Sequence, residues 1–302
     1  MRHRKLRPAE RGHRDRPARP PDLVLVGHAG LATDRTASGT VTYTGGSGFA
    51  AAFAASALLD EGAGLVTQVG QDFDLGRLRR LGLNMEGVSV LPGASATFFI
   101  DQFPDGSRSF RSVLGVAADP RFDLFPSSYF RAKFIHLGSA PPRQQLAWLK
   151  FLSDKGCRAE VSVDMFELFV ATEPDTCRTT CDRADLVFLN EVEYRGLYEG
   201  KSHPRAPTIL KHGPRGAEFI ADGMWHRIPA LPADEVDPVG AGEILAGVFL
   251  ALRARGLPED RALTYAVASA TRSVTEFGVA GPGLSRMLQC VRDEVGSGAR
   301  PR

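Results

Sequence analysis

The sequence predicts an α/β domain built on a central, mostly parallel sheet, with a small β flap inserted in it. Three observations carry this reading. Segments 134–138, 160–164, 185–190 and 207–211 are short and apolar, and each is separated from the next by text long enough for a helix. Strands of that kind, apolar towards both faces, belong to a parallel sheet covered by helices on each side. Glycine turns stand before the apolar helical runs that follow residues 46 and 240. Finally, no linker divides the 302 residues, 43% of which are hydrophobic, so one large core is expected.

The first 20 residues hold eight Arg or Lys against Glu10 and Asp15, so the formal charge of +2 conceals a basic extension and a mildly acidic body. With four prolines and hardly an apolar residue besides Leu6, residues 1–21 are expected to be a disordered tail. It has neither the apolar run of a secretory signal nor the acid-poor text of a transit peptide. A solvated extension is expected rather than a nucleic-acid arm. No apolar run approaches the length of a membrane span, so a cytoplasmic protein without membrane contact is expected. Cys157, Cys177, Cys181 and Cys290 form no C-x-x-C pair and no metal-ligand spacing, and are read as reduced.

Residues 22–27, Asp-Leu-Val-Leu-Val-Gly, predict a buried first strand ending in a glycine turn, with His28 and Asp34 following. Asp34 suits a turn as well as a ligand site. Thr44-Gly45-Gly46-Ser47-Gly48 then leads into an alanine-rich helix over 50–59, a geometry that lets a ligand approach the backbone. From Val88 to Val113 aromatic and polar residues interleave around Pro104-Asp105-Gly106, which predicts a hairpin lid over about 88–113. Phe98, Ile100 and Phe110 give it more apolar surface than a free hairpin needs, so it is expected to cover a site or pair with a second subunit. Among the later strand ends, His136 is read as structural, and Asp164 suits a cap or a site equally. Asn190 and Glu193 lie three apart, on one face if Asn190 opens a helix. Lys211-His212-Gly213-Pro214-Arg215-Gly216 predicts a tight turn between two strands.

Asp237-Pro238-Val239-Gly240-Ala241-Gly242-Glu243 is the stretch where the chemistry is expected. Ile244, Leu245, Val248, Phe249 and Leu252 recur at helical spacing, so a helix begins near Gly240 and buries that face. Small residues at its start expose free backbone N–H groups to an anion. Glu243, in the first turn, is placed to take a proton from a hydroxyl while those amides hold the charge on a transferring phosphoryl group. Pro258 then opens a small-residue helix suited to close packing, and 295–302 is expected to be a flexible end.

The Gly-Ala-Gly-acid stretch resembles the second signature of the ribokinase-like (PfkB) family of carbohydrate and nucleoside kinases. Gly45-Gly46, with Val69-Gly70-Gln71-Asp72 beyond it, resembles the first. Two departures stand out: Glu243 replaces the family's catalytic Asp, and Ala50 replaces an Asn that contacts sugar hydroxyls. The resemblance covers about 22–294 and implies a three-layer sandwich with a central, mostly parallel sheet and a β lid. It implies transfer of the γ-phosphoryl of ATP to a hydroxymethyl group of a sugar or nucleoside. It further implies Glu243 as base, with Gly240, Ala241 and Gly242 as the anion hole. Asn190 and Glu193 are implied around Mg2+, Glu193 through water, with Lys211, Gly213 and Gly216 at the nucleotide. Asp34, Gly45, Gly46, Phe98 and Asp237 are implied at the acceptor, and a homodimer through the lid. Two other readings remain: a family member that binds a small molecule without catalysis, and a dinucleotide oxidoreductase. The latter is disfavoured because Gly27-His28-Ala29-Gly30 lacks G-x-G-x-x-G.

Overall fold

The structure, a computed structural model, describes residues 20–36, 39–59, 62–103, 108–200, 203–221 and 223–297. The basic extension and the expected turn at 104–106 lie outside the described residues. In chain order the elements are β1 (Leu23–Val26), β2 (Gly30–Thr36), β3 (Gly39–Gly45), α1 (Ser47–Leu58), β4 (Ala63–Gly70), α2 (Gly76–Arg79), β5 (Val88–Leu91), β6 (Ala96–Gln102) and β7 (Arg108–Val113). There follow β8 (Phe134–Leu137), α3 (Pro142–Asp154), β9 (Glu160–Asp164), α4 (Glu167–Thr172), α5 (Pro174–Cys181), β10 (Leu186–Asn190), α6 (Glu191–Tyr198) and β11 (Thr208–Lys211). The chain closes with β12 (Ala217–Ala221), β13 (Met224–Ile228), α7 (Ala241–Ala254), α8 (Glu259–Ser273) and α9 (Pro282–Gly296).

The main sheet runs β13-β12-β11-β10-β9-β8-β1-β4-β5, parallel from β11 to β5 and antiparallel at β12 and β13. Strand pleating sends alternate residues to opposite faces. Leu23 and Leu25 therefore join α1, α7, α8 and α9 in one core, while Val24 and Val26 join α3, α5 and α6 in another. Three layers result. Within the first core α1 and α7 approach so closely that a Cβ on Gly247 would sit 2.4 Å from the Ala51 carbonyl oxygen.

A second sheet, β3-β2-β6-β7, stands off one edge of the body. It corrects the expected lid in two ways. β2 and β3 supply half of it, and Val88–Leu91 is instead the edge strand of the main sheet. The lid's inner face carries Ala32, Phe98 and Ile100, with Tyr43 packed against them. Phe98 and Ile100 thus spend their apolar surface inward. The C-terminal end also differs from expectation, since α9 continues through Gly296. The four cysteines are free, and burial pushes the Cys177 thiol up to about 11. Among the described residues, no helix is long and apolar enough to cross a membrane.

Candidate active site

The carboxyl ends of β1, β9, β10 and β11, the amino end of α7 and the inner face of the lid enclose one cavity of about 1320 Å³. Ligands collect at such strand ends, above all where strand order reverses; here β1 lies between β8 and β4.

α7 starts where the sequence predicts because Gly240 adopts φ 83°, a left-handed turn that other residues resist. Its helical first turn leaves amides pointing towards the cavity. The Ala241 N–H donates to the Pro238 carbonyl at 3.3 Å, and Glu243 lies in the first turn beside it. Burial and the nearby Asp164 push its pKa above the usual carboxylate range, against the pull of Lys211.

Lys211, at the end of β11, donates from Nζ to Asp164 Oδ1, at the end of β9, at 2.7 Å. Asp164 is 1% exposed, and a Cβ on Gly242 would lie 3.1 Å from that ammonium. Glycine at 242 thus lets the ammonium sit against the helix start. Burial opposes the charge on Lys211, but Asp164, Glu193 and Glu243 outweigh it and hold the pKa above its ordinary value.

Between those strands Asn190 ends β10 and caps α6. Its Oδ1 accepts from the Glu193 N–H at 2.9 Å, while Glu193 Oε2 accepts from the Asn190 N–H at 2.6 Å, a reciprocal capping box. Asn190 Nδ2 also donates to Glu167 Oε1 at 3.1 Å. Burial pushes the Glu193 carboxyl up to about 7, with Lys211 opposing and Asp164 adding to the rise. Next to it, His212 lies between Glu191 at 2.8 Å and Glu218 at 3.3 Å, which steadies the Gly213–Gly216 turn.

Of the residues expected at the site, Gly240, Ala241, Gly242, Glu243, Asn190, Glu193, Lys211, Gly213, Gly216, Gly45, Gly46 and Phe98 line the cavity. Two of the expected residues lie off the cavity lining. Asp237 is 2% exposed and does not line it: Oδ1 accepts from the Val239 N–H and Oδ2 from the Gly278 N–H, each at 3.0 Å. It ties the loop before α7 to the loop after α8. Asp34 is fully buried in β2, where Oδ2 accepts from Gln102 at 2.6 Å. The pleat puts Ala32 and Asp34 on one face but about 6.6 Å apart, and Ala32 is the one that lines the cavity.

One lining residue that escaped the sequence reading is Phe166. Phe110 and Phe166 meet edge to face at 5.0 Å, and Phe98 stacks on Phe110 at 6.3 Å, so three rings bridge lid and body. The one available signal was Asp164-Met165-Phe166, an acid and an aromatic directly after a strand.

The sequence matches the pfkB family carbohydrate kinase description over residues 22–285. It is 30% identical to a cytidine kinase from Thermococcus kodakarensis over 273 residues, 85% of this chain and 97% of the relative. It is 29% identical to an ATP-dependent ribose-1-phosphate kinase from Halopiger xanaduensis over 74% of this chain and 78% of that one. The fold superimposes on a Burkholderia thailandensis nucleoside kinase in complex with inosine with a TM-score of 0.77, covering 92% of this chain and all of the other at 20% identity. The family match over residues 22–285 and the 30% identity to a kinase of nearly equal length show that the chain belongs to the pfkB family of carbohydrate kinases and is a small-molecule phosphotransferase.

Proposed function

We propose that the enzyme is an ATP-dependent nucleoside kinase, phosphorylating the hydroxymethyl group of the sugar. The observation that carries this is the aromatic wall of the acceptor end, where the Phe110 ring lies 6.3 Å from that of Phe98 and 5.0 Å from that of Phe166. Such a wall suits a planar base, because offset and edge-on ring contacts add to simple burial. Lys211 is the sole Lys or Arg among the residues described as lining the cavity, and it sits at the α7 end. A sugar phosphate acceptor would need a cation at the other end. The names of the cytidine kinase and nucleoside kinase relatives support the same reading.

In this proposal Glu243 accepts the proton of the hydroxymethyl group as the oxygen attacks the γ-phosphorus and ADP leaves. The Gly242 and Glu243 amides hold the developing charge at the positive end of α7. Lys211 adds a fixed cation beside them, oriented by Asp164. The nucleotide lies over β10 and β11 against Asn190, Gly213 and Gly216. Among the described residues no three His, Cys, Asp or Glu side chains could cage a metal ion. The lining nevertheless carries Asp164, Glu167, Glu193 and Glu243 against Lys211. That surplus of negative charge fits magnesium carried in on the phosphates and keeping most of its water, with Glu193 reaching it through water. Bound magnesium would neutralise phosphate charge. A cytoplasmic location and a homodimer through the lid belong to the same proposal. Leu31, Phe99 and Val113 share the lid's outer face, where Val113 is 51% exposed. Light scattering of Val113→Arg tests the dimer, whose dissociation is the expected result.

The deciding experiment measures ADP release with ATP and magnesium across nucleosides, free pentoses and hexoses, and sugar phosphates. Nucleosides are expected to give the highest kcat/KM. Preference for a sugar phosphate would refute the reading. Glu243 in place of the family pattern's Asp favours one second reading, a protein that binds these ligands without transfer; absence of turnover with intact nucleoside binding would establish it.

A further inference from the structure

His28 is a polar group in the acceptor wall that the mechanism above leaves unused. It follows β1 directly, is 8% exposed and lines the cavity, with its ring 6.3 Å from that of Phe98. Its backbone is fixed: the His28 carbonyl accepts from the Phe49 N–H at 3.1 Å, and a Cβ on Gly46 would lie 2.5 Å from that oxygen. His28 therefore starts from a backbone fixed beside Gly46, with its ring reaching towards Phe98, at the edge of the expected acceptor site. It also hydrogen-bonds the backbone of Ala117, on the side of a second, small cavity lined by Gln68, Gln145 and Trp148. Burial keeps the imidazole neutral, with its pKa pushed down to about 4. A neutral imidazole that donates through one nitrogen accepts through the other. His136, also buried, is engaged with Ser162 at 2.9 Å and does not line the large cavity.

We propose that His28 is a specificity-determining residue of the acceptor pocket: the ring nitrogen turned away from Ala117 accepts a hydrogen bond from a donor on the nucleoside. This rests on the nucleoside reading above. The donor is either a ribose hydroxyl or an exocyclic amino group of the base. A site built to accept a hydrogen bond discriminates against an analogue lacking the donor, because its own polar group is then left unpaired.

The test measures kcat/KM of the wild type, His28→Phe and His28→Asn with cytidine, 2′-deoxycytidine, uridine, adenosine and inosine. Phe keeps a ring against Phe98 without an acceptor; Asn restores an acceptor oxygen. The Phe variant is expected to lose about tenfold with donor-bearing nucleosides and far less with the analogue lacking that donor. Asn is expected to recover part of the loss. A loss that follows ribose against deoxyribose assigns the contact to the sugar; one that follows amino against oxo bases assigns it to the base. An equal loss with every nucleoside, or none, overturns the proposal. Wild type that phosphorylates no nucleoside refutes the nucleoside reading instead. Calorimetric binding of cytidine, 2′-deoxycytidine and uridine to the same three proteins, which needs no turnover, then judges His28 alone, and equal affinity ratios in all three count against it.

Discussion

Glu243 carries its carboxylate one C–C bond, about 1.5 Å, further from the backbone than the Asp of the family pattern. That extra reach has to be taken up by a bent rotamer or a shifted acceptor. Misplacement of a reacting group by about 1 Å can cost on the order of a hundredfold in rate, so the bound rotamer decides whether the enzyme works. Glu243→Gln is expected to lower kcat by roughly 10²–10⁴ with nucleotide affinity nearly unchanged; Glu243→Asp distinguishes a pocket adapted to Glu, which it slows, from a decayed one, which it restores. Single-turnover assays with parallel ATP titration read both. Glu193 supports a second prediction at this scale. Its folded pKa of about 7 exceeds the ordinary 4.5, so between those values the folded protein binds more protons than the unfolded chain. Its contribution to stability is therefore fully present below about pH 4.5 and falls as pH rises towards 7. Glu193→Gln keeps the capping box, which Gln can also complete, but removes the titration. The melting temperature of the ligand-free Gln variant is expected to gain on the wild type between pH 5 and 7, about the window set by the two pKa values; parallel curves would show that Glu193 does not titrate there. These roles were legible only in part. Glu243 and Lys211 stand in readable motifs, whereas Asp164 needed the parallel register of β9, β10 and β11 to bring it 2.7 Å from Lys211.

At the scale of elements, α7 was readable because its start depends on local backbone chemistry. Gly240 holds φ 83°, and a Cβ there would lie 2.2 Å from Val279 Cγ1. Gly240→Ala is expected to destabilise by about 1–3 kcal/mol, and Val279→Ala in the same chain to relieve the steric part; urea unfolding of the single and double variants checks the coupling. The lid was less readable, for a physical reason. β2 is short and polar, Gly-Leu-Ala-Thr-Asp-Arg-Thr, and gains its strand identity from β3 and β6 on its two sides. Without those partners its text reads as a turn. Val88–Leu91 shows the converse, since its partly exposed pattern belongs to an edge strand that only the pairing with β4 reveals. Phe98 and Phe110 looked suited to cover a site or pair subunits, and both line the cavity. Phe110→Ser is accordingly expected to raise the nucleoside KM about three- to tenfold, the worth of one ring contact, and leave the ATP KM unchanged. Equal change in both constants would mean the ring supports the lid rather than the acceptor.

For the molecule as a whole, the order of strands and helices was legible because each buried strand had to be apolar towards two helical layers, as Leu23 and Val24 are towards opposite cores. What local text did not reveal is that lid and body close around a single cavity, because Phe110 and Phe166, 56 positions apart in the chain, meet only through tertiary packing. That arrangement makes a prediction about linkage. Nucleoside contacts both lid and body, and nucleotide contacts the body beside α7, so binding of either is expected to stabilise the folded state. At a hundred times Kd each ligand contributes roughly 2.7 kcal/mol. The Glu243→Gln protein retains the aromatic wall and the α7 amides, so its melting temperature is expected to rise with nucleoside and with ADP by as much as that of the wild type. Phe110→Ser is expected to lose the nucleoside shift at the same concentration and keep the ADP shift. Loss of both shifts in Glu243→Gln would mean that the carboxylate organises the cavity rather than moving a proton within it.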